Sequence, residues 1–288
     1  INGKANVASP AKAFQCMALV GDSGCGMESP LEAVKRALDG HRAENSGFLR
    51  GKNAVLAVIF ITDEDDCSIQ ASRRSEANPN TVDCTNPDQN ASYECYNIDY
   101  RCVARSVQCD EPMNSTGAKN NCRERPNNFL EPVDSYYKFL ISVKDPSLLV
   151  VSGIWTLPDV AAGGKVAVAY EGTGTTSADL NRATGLAASC TDTGTPNPAL
   201  FGQAQFRLSK FAKLFGTTTN PDTNVAEPNA TENSICNIGG YDQALTSIAK
   251  AIEQKVKSFC LPAIPKKTAD GRPICLVGAV DYEQVIAG

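Results

Sequence analysis

The stretch Val55-Leu56-Ala57-Val58-Ile59-Phe60-Ile61 is continuously apolar, mostly β-branched or aromatic, and stops abruptly at Thr62-Asp63-Glu64-Asp65-Asp66. A strand with one face in water alternates apolar and polar residues. An unbroken run instead suits a parallel strand covered on both faces by helices. A second run of the same kind, Leu148 to Trp155, follows about ninety residues later. The longest apolar run, Ala54 to Ile61, is far too short to span a bilayer, so no transmembrane segment is expected in this chain.

Helical signals surround the two runs. Residues 10–20 read as a short helix, followed by a Gly-rich turn from Gly21 to Gly26. In Glu28-Ser29-Pro30-Leu31-Glu32, Ser29 is a candidate cap, Pro30 suits the first helical position and Glu32 completes a capping box. Leu31, Val34, Ala37 and Leu38 recur at helical spacing, and Gly40 is a plausible stop. Val133 to Val143 reads as a helix between the two strands. Phe206, Leu208, Phe211, Leu214 and Phe215 form an amphipathic helix ending at Gly216, and Ala244 to Val256 carries the stripe of a longer last one. Val166, Val168 and Tyr170 alternate with small residues, as in a hairpin arm. Alternating helices and strands imply a three-layer α/β fold, a mainly parallel sheet with helices on both faces. Sites in such sheets lie at the carboxyl ends of the strands, which puts Asp63 and its neighbours at the functional edge.

Twelve cysteines, at 16, 25, 67, 84, 95, 102, 109, 122, 190, 236, 260 and 275, set the compartment. No pair has C-x-x-C spacing and the single histidine is His41, so zinc clusters are disfavoured against disulfides. An oxidising, exported location follows, whether extracellular, cell-surface or periplasmic. Sequence nearness suggests Cys16–Cys25, Cys84–Cys95, Cys190–Cys236 and Cys260–Cys275. Cys67–Cys102 with Cys109–Cys122 is the choice for the other four, where six cysteines between 67 and 126 allow fifteen pairings. That stretch, rich in Asn, Asp, Arg and Pro, reads as a stapled insertion with little core of its own. Residues 258–288 read as a separate cysteine-bearing tail. The net charge of −5 offers no basic stripe for nucleic acid.

The segments G-C-G-M-E-S-P-L-E-A-V and V-I-F-I-T-D-E-D-D resemble two of the three metal-site loops of a von Willebrand factor A-type domain. The resemblance covers roughly residues 10–257, with its specific motifs in 24–67. It implies a metal-ion-dependent protein-binding module rather than an enzyme, holding Mg²⁺ (or Ca²⁺ or Mn²⁺) whose open position takes a carboxylate from a partner protein. Glu28 occupies the second-loop position, with Ala33 and Val34 at the family's spacing. Asp63 occupies the third, after Thr62, and Glu64 replaces the usual Gly. Hard divalent cations prefer such oxygen ligands. Asp65 and Asp66 read either as a solvated acidic turn or as ligands of an accessory cation.

The family's first loop, D-x-S-x-S, is missing before Glu28. The chain is therefore expected to begin inside the domain, with the remaining strands supplied from elsewhere and cation binding weak without them. The D-E-D-D-C ending and the Cys-rich insertion resemble exported or lipid-anchored bacterial members. The alternative is a disulfide-stabilised structural subunit of a surface assembly with a degenerate metal site. Gly21-Asp22-Ser23-Gly24 matches a serine-protease nucleophile segment, but His41 follows it in an α/β pattern. An EF-hand starting at Asp63 fails, because Ser68 and Arg74 stand where Gly and Glu are required.

Overall fold

The computed structural model describes residues 27–51, 54–73, 106–111, 117–157, 166–170, 184–186, 189–191, 201–219, 226–237 and 241–257, with Lys12, Gln15, Cys16, Leu19 and Val103. The helices are α1 (Pro30–Leu38), α2 (Val133–Val143), α3 (Arg207–Lys213) and α4 (Tyr241–Lys257). The strands are β1 (Leu56–Ile61), β2 (Val107–Gln108), β3 (Gly117–Lys119), β4 (Arg123–Glu124), β5 (Leu149–Trp155), β6 (Val166–Tyr170), β7 (Thr184–Leu186), β8 (Cys190–Thr191), β9 (Phe201–Gly202), β10 (Thr217–Thr219), β11 (Ala226–Pro228) and β12 (Ala230–Ser234). No helix among the described residues is long and apolar enough to cross a membrane.

The main sheet has the order β1-β5-β12 and is parallel throughout. β1 pairs with β5 from Leu56↔Leu149 to Ile61↔Ile154, and α2 lies in the crossover between them, as the two apolar runs predict. β5 is buried at all seven positions. β1 is not: Leu56, Val58 and Phe60 are buried while Ala57, Ile59 and Ile61 are exposed. The expectation of a strand covered on both faces therefore holds for β5 and fails for β1, because no described element lies over the second face of β1.

One face of the sheet carries the core. Leu31 of α1, Val133, Tyr136 and Leu140 of α2, and Leu208 and Phe211 of α3 pack on Leu56, Val58, Phe60, Leu149, Val151 and Trp155. Each such side chain, fully buried, contributes about 1.5–3 kcal/mol. On β5 the side chain of Ile154 points to the other face and packs with Ala244 and Ile248 of α4. α4 descends that face from the carboxyl edge, where Tyr241 Oη donates to Ile235 O at 2.7 Å, to the amino edge, where Lys255 Nζ reaches Pro146 O at 3.4 Å.

α1 and α3 end as expected, with Gly40 at φ +81° and Gly216 at φ +66°. The capping box at α1 does not form. Ser29 Oγ donates to Met27 O, and the Glu32 carboxylate accepts from Arg36 Nε and Tyr136 Oη. Of the helix expected over 10–20, Lys12, Gln15 and Cys16 are helical, Leu19 is not, and the rest lies outside the described residues, as do the turn 21–26 and the tail 258–288.

The insertion leaves the carboxyl end of β1. Its base is closed by the Ile69–Leu130 bridge, with Gln70 N donating to Phe129 O. It is less coreless than its composition implies, since Val103 and Val107 are fully buried. β3 within it pairs with β6, and β6 with β7, so the predicted arm is shared with the insertion. Disulfides Cys109–Cys122 and Cys190–Cys236 form as expected. Cys67 is disulfide-bonded. Cys25, Cys84, Cys95, Cys102, Cys260 and Cys275 lie outside the described residues. Cys16–Cys25 is overturned: Cys16 is exposed and free, and nearness along the chain did not bring it a partner.

Candidate functional site

The carboxyl edge is built around the acidic segment after β1. Thr62 N donates to Ile154 O, continuing the β1–β5 ladder by one residue. Thr62 Oγ1 then bonds both the backbone N and O of Glu64, turning the chain off the sheet. No glycine is needed in that turn: among the described residues the non-glycine positions with positive φ are Asn121 and Asn127, so Glu64 takes its place there without backbone strain.

Asp65 and Asp66 point inward, which overturns the solvated-turn reading; they are 7% and 0% exposed. Asp65 accepts backbone N–H bonds from Asp66, Phe206, Arg207 and Leu208, capping α3 from a residue 142 positions away. Asp66 Oδ1 accepts from Leu31 N at 3.0 Å and from Ser68 Oγ at 2.7 Å, while Ser68 Oγ accepts from Glu32 N. The two acids thus help cap α1 and α3. Arg207, 1% exposed, donates to Asp66 Oδ2 from Nε at 3.1 Å and Nη2 at 3.0 Å. Its Nη2 also reaches Glu131 O, and Nη1 reaches Glu124, which pairs in turn with Lys210. An accessory cation at these acids would have to displace hydrogen-bond donors already in place.

Burial pushes the Asp65 carboxyl up to about 6, against the pull of the Arg207 guanidinium and the backbone N–H donors. A folded-state value above the unfolded 3.8 means that the folded protein holds this proton more tightly. Stability from this group is then fully present below pH 4 and falls as pH rises to 6, by about 3 kcal/mol. Urea unfolding at pH 4 and pH 7 checks this against Asp65→Asn, which removes the titration: the wild type should lose stability relative to the variant as pH rises. A gain instead would mean that the N–H donors and Arg207 outweigh burial.

Glu28 and Asp63 take the opposite course and are exposed. Glu28 O accepts from Cys67 N at 2.6 Å, and Asp63 O accepts from Gln203 N at 2.8 Å. A backbone bond therefore ties exposed Glu28 to loop 62–67, which carries exposed Asp63 and is itself tied to Gln203. Against Thr62, Gln205 is fully buried; its Nε2 donates to Thr62 O at 3.1 Å and its Oε1 has no hydrogen-bond partner. Carboxylate oxygens such as those of Glu28 and Asp63 are hard donors, the kind that suits Mg²⁺ or Ca²⁺ with water completing the shell. Among the described residues, no group of three or more His, Cys, Asp or Glu is gathered to hold a metal ion.

Sequence reasoning missed Arg207 and Gln205. A signal for Arg207 existed: a cation in the first turn of a helix opposes the helix dipole, so its place there calls for a buried acid as partner. No family model, curated protein or solved structure matches the chain.

Proposed function

We propose that the chain is a cation-dependent protein-binding module of the von Willebrand factor A type, in which Glu28 and Asp63 hold a divalent cation at the carboxyl edge. The observation that carries this reading is that exposed Glu28 is tied by the Cys67 N–H to the loop at the end of β1 that carries exposed Asp63. In this reading the sheet and its helices are part of the family's three-layer fold. Mg²⁺ is the cation of choice, with Ca²⁺ or Mn²⁺ as substitutes, and the partner is an exported or surface protein that offers a carboxylate to the open position. Two protein ligands leave most of the shell to water, so binding by this chain alone is weak.

Calorimetric titration of residues 1–288 with Mg²⁺ tests it. A weak binding isotherm is expected, lowered at least tenfold in affinity by Glu28→Ala or Asp63→Ala. Equal affinity in the wild type and both variants would falsify the site. The second reading, a disulfide-stabilised structural subunit, is favoured by one observation: the two innermost acids of the segment, Asp65 and Asp66, are committed to helix caps and Arg207.

A further inference from the structure

Cys67 joins the acidic loop to the segment that carries Glu28. Its N–H donates to Glu28 O at 2.6 Å, and its buried side chain packs with Met27, Ile69, Phe129 and Leu130. Its neighbours in the loop grip the start of α1: Asp66 Oδ1 accepts from Leu31 N, and Ser68 Oγ accepts from Glu32 N. Three successive loop residues thus hold one short stretch of chain, from Met27 to Glu32.

Cys67 is also disulfide-bonded. The other bonds among the described residues are Cys109–Cys122 and Cys190–Cys236, and Cys16 is free. The partner of Cys67 is therefore one of Cys25, Cys84, Cys95, Cys102, Cys260 and Cys275. Bonded cysteines have Cα atoms about 4.4–6.8 Å apart. Cys25 lies just ahead of Met27, and the two residues from Met27 back to it span at most about 7 Å. The contact between Met27 and Cys67 therefore keeps Cys25 close to the Cys67 sulfur. Nothing comparable serves the rivals. Val103, next to Cys102, is buried but is not among the side chains packed with Cys67. None of those side chains neighbours Cys84, Cys95, Cys260 or Cys275 in the chain. Cys25 has also lost its expected partner, since Cys16 is free.

We propose that Cys67 is bonded to Cys25, in place of the expected Cys102, and that this disulfide holds Glu28 to the loop that carries Asp63. One sulfur stands in Cys25-Gly26-Met27-Glu28 and the other in Asp63-Glu64-Asp65-Asp66-Cys67, so each candidate ligand has a staple point a few residues along its own segment. The bond forms when the two thiols give two electrons and two protons to an oxidising disulfide by thiol–disulfide exchange. The spacing of Glu28 and Asp63 is then a property of the oxidised chain, and reduction loosens it. The effect on Mg²⁺ rests on the cation reading; the bond and its hold on Glu28 do not.

Peptide mapping of the full, non-reduced chain tests the pairing. The free thiol of Cys16 is alkylated first, and trypsin then releases residues 13–35 and 53–73, the second with Cys67 as its one cysteine. The two peptides should be found linked, with the alkyl group on Cys16. A link from 53–73 to any other cysteine overturns the proposal, as does an unlinked Cys67. The positioning role is read in the full chain with Cys25→Ala and Cys67→Ala together. Amide exchange at residue 67 should quicken at least tenfold more than that of Val151 in β5, whereas a merely global loss of stability would quicken both alike. Mg²⁺ affinity should fall at least fivefold by calorimetry. If the double variant does not fold, native protein in which dithiothreitol has opened this link alone, trapped by alkylation, gives the same two readouts. Equal exchange at the two positions overturns the positioning role, as does equal Mg²⁺ affinity where the wild type binds. A mapped bond with faster exchange at residue 67 but no Mg²⁺ binding by the wild type would sink the cation reading and leave the staple standing.

Discussion

Arg207→Leu should destabilise the fold by about 3–5 kcal/mol, read as a fall in the urea midpoint at unchanged slope. The expectation rests on what the substitution leaves behind. Asp66 is 0% exposed and loses both guanidinium bonds, and Glu131 O loses its donor. Breaking a buried pair from one side costs far more than the pair contributes, because the remaining charge has no water to turn to. A domain of this size is stable by about 5–15 kcal/mol, so the loss is a large share of the total. The double variant Arg207→Leu with Asp66→Asn should recover part of it. The amide oxygen can still accept from Leu31 N and cap α1, and no bare charge remains. High salt should change the single variant little, since the pair lies out of reach of screening ions. A loss below about 1 kcal/mol would show that Asp66 finds other partners and that the cluster is not what ties the helices to the sheet.

The same cluster marks the limit of what the sequence reveals. Val55–Ile61 and Leu148–Trp155 are legible as parallel strands because a strand's burial is written in its own side chains. The helix at 133–143 and the Gly216 stop are legible for the same local reason. β12 is not. Its sequence, Ala-Thr-Glu-Asn-Ser, has no apolar pattern; its extended form comes from pairing with β5, from Thr231 Oγ1 donating to Ser152 Oγ, and from Trp155 Nε1 donating to Glu232. Asp65 and Asp66 look like a water-facing turn because their partners lie 35 and 142 residues away in the chain. Of the site, the pair Glu28 and Asp63 was legible as residues at one edge. Gln205, which lies against Thr62, was not, since nothing in a polar loop marks an amide for burial. The half-covered face of β1 is a related case: its composition promised two covered faces, and the described elements cover only one.

Trp155→Ala should cost about 3–5 kcal/mol, the range for emptying a buried tryptophan site. Trp155 is 0% exposed and is the chain's single tryptophan. Its ring packs 6.0 Å from Phe60, which in turn meets Phe211 edge-on at 5.9 Å, so the indole joins β5 to β1 and, through Phe60, to α3. The backbone is shaped around it: a Cβ on Gly153 would lie 2.4 Å from the indole ring, so the chain has a glycine where the ring crosses it. Alanine would leave a cavity that this arrangement cannot close, because β5 is fixed by strands on both sides. The loss should also be local. The indole N–H to Glu232 is one of the side-chain bonds that hold β12 to β5, so amide exchange of Asn233 and Ser234 should quicken more than that of Val58. Trp155→Phe separates the two effects, since it fills most of the cavity and deletes the N–H. It should restore much of the stability while leaving β12 exchange fast. Circular dichroism under urea, with exchange followed by mass spectrometry, reads both. Equal stability of the alanine and phenylalanine variants would mean that the hydrogen bond to Glu232, not the packing of the ring, is what Trp155 contributes.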